Sequence, residues 1–188
     1  MDARATLLAS ALEVLEHRGE AGFSTRAVCA MAGVTAPTLY HHFGNADGLL
    51  SAAITEAFAQ FLAGKKAETF SPDPLVALGQ GWDNYVRFAA ERPRLYAAML
   101  VRVLRGASIP AADAARGLLI ERLEAVAAKR RLAMDVQAAA DLIWASAHAA
   151  SSLYLLDTER QPDPIVINAL RDRAIQSIYA PNESDKQT

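Results

Sequence analysis

An all-α fold of about nine helices is what the sequence predicts, and three observations predict it. Apolar positions recur at three- and four-residue spacing along almost the whole chain. No segment sustains the strict alternation of a half-buried strand, and Gly, Pro and polar clusters interrupt the pattern at about helix-length intervals. Hydrophobic residues make up 52% and charged residues 21% of the 188, the composition of a well-packed helical protein with one large domain, or a small domain joined to a larger one.

Taken in order, the first helix spans about residues 3–18, with Leu8, Leu12 and Leu15 as its inward stripe and Gly19 and Gly22 ending it. Two short helices follow, near 25–32 and 36–43. A fourth, from about Asp47 to Lys66, carries Leu50, Ile54, Phe58 and Phe61 with Leu62 on one face. Ser71-Pro72-Asp73-Pro74 separates it from a fifth that runs to Glu91, where Pro93 forces a break before a sixth, to about Leu104. After a loop from Gly106 to Pro110, a seventh helix ends in Lys129-Arg130-Arg131, cations that suit a helix C-terminus. Asp135 caps an eighth helix reaching about Leu156, a polar loop runs from Asp157 to Pro164, and a ninth helix covers about 164–179. Residues 181–188 read as a frayed tail.

Several function classes are excluded at this level. No apolar run reaches the roughly 18 residues that span a bilayer, and the N-terminus lacks a signal-cleavage pattern, so a cytoplasmic protein without membrane contact is expected. Cys29 is the single cysteine, with no partner for a disulfide and no ligand-spaced companions for zinc. Nucleophile-base sets, paired carboxylates and glycine-rich phosphate loops are absent, so no enzyme, cofactor or metal is expected. His41 and His42, being adjacent, point about 100° apart on a helix and do not readily share a metal.

The segment from Ser24 to Phe43, STRAVCAMAGVTAPTLYHHF, contains two short helical patterns broken at Gly33, Val34 and Thr35, which is helix-turn-helix spacing. Gly33 can take the positive φ of a tight turn, Val34 plugs the angle between helices, the Thr35 hydroxyl caps, and Pro37 fits the first turn. Leu39 and Phe43, four apart, face the core; Pro37 and His41 then lie opposite, with Thr38 and Tyr40 at the flanks. Hydroxyl, imidazole and small apolar groups on that outward face suit base edges, phosphates and thymine methyls in a major groove. Residues 1–50 carry three basic groups against five acidic ones, so no basic patch marks this surface, and the case for DNA rests on geometry.

Over AGVTAPTLYHHFGNADGLLSAAI the chain resembles the N-terminal signature of the TetR family of repressors, a helix-turn-helix followed by Tyr-x-x-Phe and a Leu-Leu pair. The resemblance is close over about residues 4–54. It implies that Thr25 is the phosphate-binding cap of the second helix, that Arg26 reads a base, and that Thr35, Ala36, Pro37, Thr38, Tyr40, His41 and His42 form the recognition face. Tyr40 would meet the backbone, and Phe43 would hold the helix to the core. Where many members have lysine this chain has Ala46, which together with the acidic balance predicts few phosphate contacts and a shallow salt dependence.

The resemblance further implies residues 1–46 as a DNA-binding domain and 47–180 as a ligand-binding and dimerisation domain. Candidate lining for a small, largely apolar effector comes from Trp82, Tyr85 and Phe88 on the fifth helix and Tyr96, Met99 and Leu100 on the sixth. Trp144 and His148 share a face of the eighth helix and resemble a Trp-x-x-x-His-Gly motif of one subgroup, with Ala149 in place of the glycine. The small residues of the eighth helix and the stripe Ile167, Leu170, Ala174 and Ile178 on the ninth suit a four-helix homodimer interface. Two recognition helices so paired would read a palindromic operator in double-stranded DNA.

Overall fold

The computed structural model describes residues 2–67, 70–106, 109–156 and 161–179. The expected tail at 181–188, the first half of the loop from Asp157 and the side chain of Leu62 lie outside the described residues. Nine helices are present among those described: α1 (Ala3–Arg18), α2 (Thr25–Ala32), α3 (Ala36–Phe43), α4 (Ala46–Ala67), α5 (Pro74–Glu91), α6 (Pro93–Leu104), α7 (Pro110–Ala127), α8 (Val136–Leu156) and α9 (Pro164–Ser177). The β-type pairing among the described residues is one isolated bridge, Leu132 to Tyr179. No described helix is long and apolar enough to cross a membrane.

Local chemistry sets the helix starts. Pro74, Pro93, Pro110 and Pro164 each occupy a first helical position, where the missing N–H would have had no partner in any case. Side-chain oxygens of Asp2, Ser24, Asn45, Asp73, Asp135 and Asp163 accept from first-turn amides at 2.8–3.2 Å. Each such cap stabilises its helix by about 1 kcal/mol. The seventh helix stops at Ala127, so Lys129, Arg130 and Arg131 lie beyond its end rather than in its last turn.

The chain divides into two compact units, residues 1–67 with 92–113, and 68–91 with 114–188. The first unit is built round α1, which packs on α2, α3, α4 and α6. Its inward stripe is Leu7, Leu8, Ala11, Val14 and Leu15; Leu12, expected inside, is half-buried, because the contacts come from helices on two sides and turn the stripe toward Leu7 and Val14. The helices packed on α1 bury Val28, Cys29, Leu39, Leu49, Ile54, Leu95 and Tyr96. Arg94 donates to the carbonyls of Glu16 (3.2 Å) and His17 (2.7 Å), satisfying acceptors left open in the last turn of α1.

In the second unit α5 packs on α8 and α9, and α8 on α9. Ala139, Ala140, Ala147 and Ala150 are buried against these neighbours, so half of the small-residue stripe of α8 serves packing inside its own unit. The expected outward stripe of α9 is also turned inward: Ile167, Ala174 and Ile178 are buried and Leu170 is half-buried. Exposed in their place are Ile165 and Val166 on α9 and Ala145, Ala149 and Leu156 on α8.

Candidate nucleic-acid interface

Ser24, not Thr25, is the cap of α2: its hydroxyl accepts from the Ala27 amide at 3.2 Å, and Thr25 is the first helical residue. Gly33 ends the helix at φ 66°, ψ 28°, a left-handed conformation in which an L side chain would be strained. The turn delivers Thr35 to the N-cap position of α3, but its hydroxyl makes no cap bond; it pairs with the Thr38 hydroxyl at 3.0 Å, so the pair forms one polar unit at the mouth of the helix.

On α3, Leu39 is fully buried, Thr38 is half-buried, and Ala36, Pro37, Tyr40, His41 and His42 are exposed, as is the N-cap Thr35; on α2, Arg26 is exposed and Thr25 half-buried. Phe43 is only half-buried, its ring covered by the Arg4 guanidinium at 5.6 Å. The exposed residues of α3 thus stand on a helix with one deep anchor, Leu39.

The C-terminal end of α3 is locked to the start of α4. Asn45 donates its amide to the Phe43 carbonyl at 2.9 Å and caps α4 through the Gly48 amide at 2.8 Å. A Cβ on Gly48 would stand 2.2 Å from the same Phe43 oxygen, so only glycine lets the first turn of α4 come this close. From α6, the buried Arg102 forks onto both oxygens of Asp47 at 2.8 Å and also donates to the Ser51 hydroxyl. Hydrogen bonding from that guanidinium holds the Asp47 carboxyl below its ordinary range.

These contacts correct the charge reading. Asp47, Glu16 and Glu20 pair with Arg102, Arg92 and Arg105, all outside residues 1–50. Counted over the first compact unit, the chain carries nine basic groups against seven acidic ones, so the lobe bearing α3 is weakly positive.

The second unit gathers five of the expected effector residues. Trp82 donates its indole N–H to the Ser146 hydroxyl at 2.8 Å. Tyr85, Trp144 and His148 form a ring trio with centroids 5.2–5.4 Å apart, and the Tyr85 hydroxyl lies 3.4 Å from His148 Nε2. Phe88 is buried on the same helix. Tyr96 and Met99, also buried, and the half-buried Leu100 belong to the first unit.

Burial pushes the His148 imidazole below its ordinary value, so the neutral ring is the folded form near pH 7. The unfolded chain then binds a proton that the folded chain resists. Stability is full above about pH 6.5 and falls below it, by at most about 1.4 kcal/mol per pH unit, until the depressed folded value is passed. Denaturant midpoints measured from pH 7.5 to 5.0 should show this fall, and His148→Gln should remove its share.

Residues 7–53 match the profile of bacterial regulatory proteins of the tetR family. The match spans α2 and α3 whole and parts of α1 and α4. No curated protein matches the chain in sequence. Among solved structures, a protein of unknown function from Rhodococcus sp. RHA1 superposes with a TM-score of 0.78 at 24% identity, over 96% of this chain and 97% of that one. A protein provisionally classed as a tetR-family transcription regulator, from Shewanella sp. PV-4, gives 0.70 at 22%, over 96% and 100%. The transcriptional regulator FadR from Bacillus subtilis, solved with stearoyl-CoA, gives 0.65 at 15%, over 93% and 99%. At these identities the likeness is one of fold, and it runs over nearly the whole chain. The family match stops at residue 53, so the likeness of Trp144 and His148 to a subgroup motif rests on those two residues alone.

Three residues that position α3 against α4 were missed from sequence. Asn45 is an N-cap residue ahead of a helical pattern, and Gly48 a glycine inside one; both signals were present. Arg102 had none, because its partners are more than fifty residues away in sequence.

Proposed function

We propose that the protein is a homodimeric transcriptional repressor that reads a palindromic operator with α3 and is released from it by a small effector. The observation that carries this reading is the exposed surface of Arg26, Thr35, Ala36, Pro37, Tyr40, His41 and His42 around a helix anchored by Leu39. Thr25 and Thr38 flank it within reach of phosphates. Residues 1–46 then do the reading and 47–180 the sensing and pairing. The trio Tyr85, Trp144 and His148, with Trp82 and Phe88 beside it on α5, supports an effector site with an apolar wall and one neutral imidazole to donate or accept. Leu100, Tyr96 and Met99 belong to the first unit and are not part of this wall. Exposed Ala145, Ala149, Leu156, Ile165 and Val166 supply the apolar surface that a second copy would cover.

The test is retention of sheared source-genome DNA at low salt, with sequencing of what is bound. A short palindrome should be enriched, its affinity should fall with salt at a log-log slope shallower than about −5, and Tyr40→Ala should abolish its enrichment. Sequence-independent retention alone, or none, would overturn the proposal.

A further inference from the structure

We propose that Arg122 is the anion-recognition group of the effector site and that the effector carries a carboxylate; this deepens the effector reading above and rests on it. Arg122 stands on α7 and belongs to the second unit. Its guanidinium carbon lies 4.1 Å from the centre of the Phe70 ring. A Cβ on Gly81 of α5 would fall 2.0 Å from Arg122 Nη1, so the guanidinium sits against bare helix backbone in a notch that glycine leaves open.

Arg92, Arg102, Arg105, Arg116 and Arg171 each meet a carboxylate. Arg122 meets none among the described residues, and the one charge acting on it is its chain neighbour Glu121. The ring covers a face of the guanidinium, whereas its N–H donors lie in the plane and point outward from the edge. A half-buried guanidinium that meets no described carboxylate is costly to the fold, and burial does make this one harder to keep charged. Glycine is likewise a poor choice inside a helix. Two locally unfavourable choices that meet at one point are accounted for by a ligand that needs both.

The neighbourhood gives the ligand its shape. Gly81 and Tyr85 are four apart on α5, hence on one face and about 6 Å apart along the axis. Tyr85 in turn touches Trp144 and His148. A head group held by Arg122 would thus extend an apolar or aromatic body along α5 toward the ring trio. The planar fork matches a carboxylate edge to edge, and with no second cation acting on Arg122 among the described residues a monoanion fits better than a phosphate dianion.

Calorimetric titration of the full chain with two matched pairs tests this: 2-naphthoate against methyl 2-naphthoate, and octanoate against methyl octanoate. At least one acid should bind about tenfold or more tightly than its ester. Arg122→Met should erase that preference and leave ester binding unchanged, and Arg122→Lys should keep part of it. Gly81→Ala retains the charge and favours the helix, yet should erase the preference by displacing the guanidinium. Equal binding of acid and ester in both pairs, no binding of either acid, or a preference that survives Arg122→Met would overturn the proposal. An acid that binds through Arg122 without releasing retained DNA would leave this site standing and overturn the effector reading instead.

Discussion

Leu39→Ala should cost about 3 kcal/mol of stability, whereas Tyr40→Ala, one residue on, should cost less than about 0.5 kcal/mol and remove specific DNA retention. Leu39 is fully buried and is the one buried residue of α3, so its truncation leaves a cavity that the helix, held at both ends by turns, closes only in part. The lowering of Tm should be about 10 °C, at about 2–4 °C per kcal/mol for a chain of this size. Tyr40 is 47% exposed, and its side chain makes no hydrogen bond among the described residues. Thermal melts of the two variants with DNA-retention assays at a temperature where both are folded separate the roles. A Tyr40 variant that melts early, or that retains specific DNA, would contradict the assignment; a structural adaptor would show no DNA effect at all.

Gly48→Ala should destabilise the protein by about 1–2 kcal/mol and weaken specific DNA binding at least tenfold. Propensity alone argues the opposite sign, since alanine is better than glycine in a helix by about 1 kcal/mol. Against that stands a contact of 2.2 Å between the new Cβ and the Phe43 carbonyl oxygen, which neither backbone can avoid without moving. Overpacking of this kind costs about 1–3 kcal/mol and more where main chain must shift. The shift falls on the last residue of α3, so it also tilts the recognition surface. A denaturant titration in which Gly48→Ala is the more stable protein would show that the junction yields freely, and the lock between α3 and α4 would then have no mechanical role.

The periodic pattern made the fold readable before any coordinates. Pro37, Pro93, Gly33 and Leu39 act locally, through φ, a missing N–H or one helix face, and each does what its type predicts. Residues whose role depends on distant partners were less legible. Leu12 and the α9 stripe were placed by periodicity alone, and the neighbours on either side decided which edge of each stripe is inside. The acidic balance of residues 1–50 was misleading for the same reason, because α6 returns to that unit with arginines for Asp47, Glu16 and Glu20. Within the site, the exposed face of α3 followed from Leu39, but the Thr35–Thr38 hydroxyl pair and the Arg102 fork are tertiary facts. Arg122 carries no local signal, because Gly81 and Phe70, beside it in space, lie 41 and 52 residues away in sequence.

The central claim is that the outward face of α3 reads bases as half of a symmetric pair. Selection of bound duplexes from a random-sequence pool, run in parallel for the natural protein and His41→Ala, tests it most directly. The account predicts an enriched sequence with two-fold symmetry, half-sites about one helical turn apart, and a base preference lost at one matching position in each half when His41 is truncated. An enriched sequence without symmetry, or one that His41→Ala and Tyr40→Ala both leave unchanged, would contradict it.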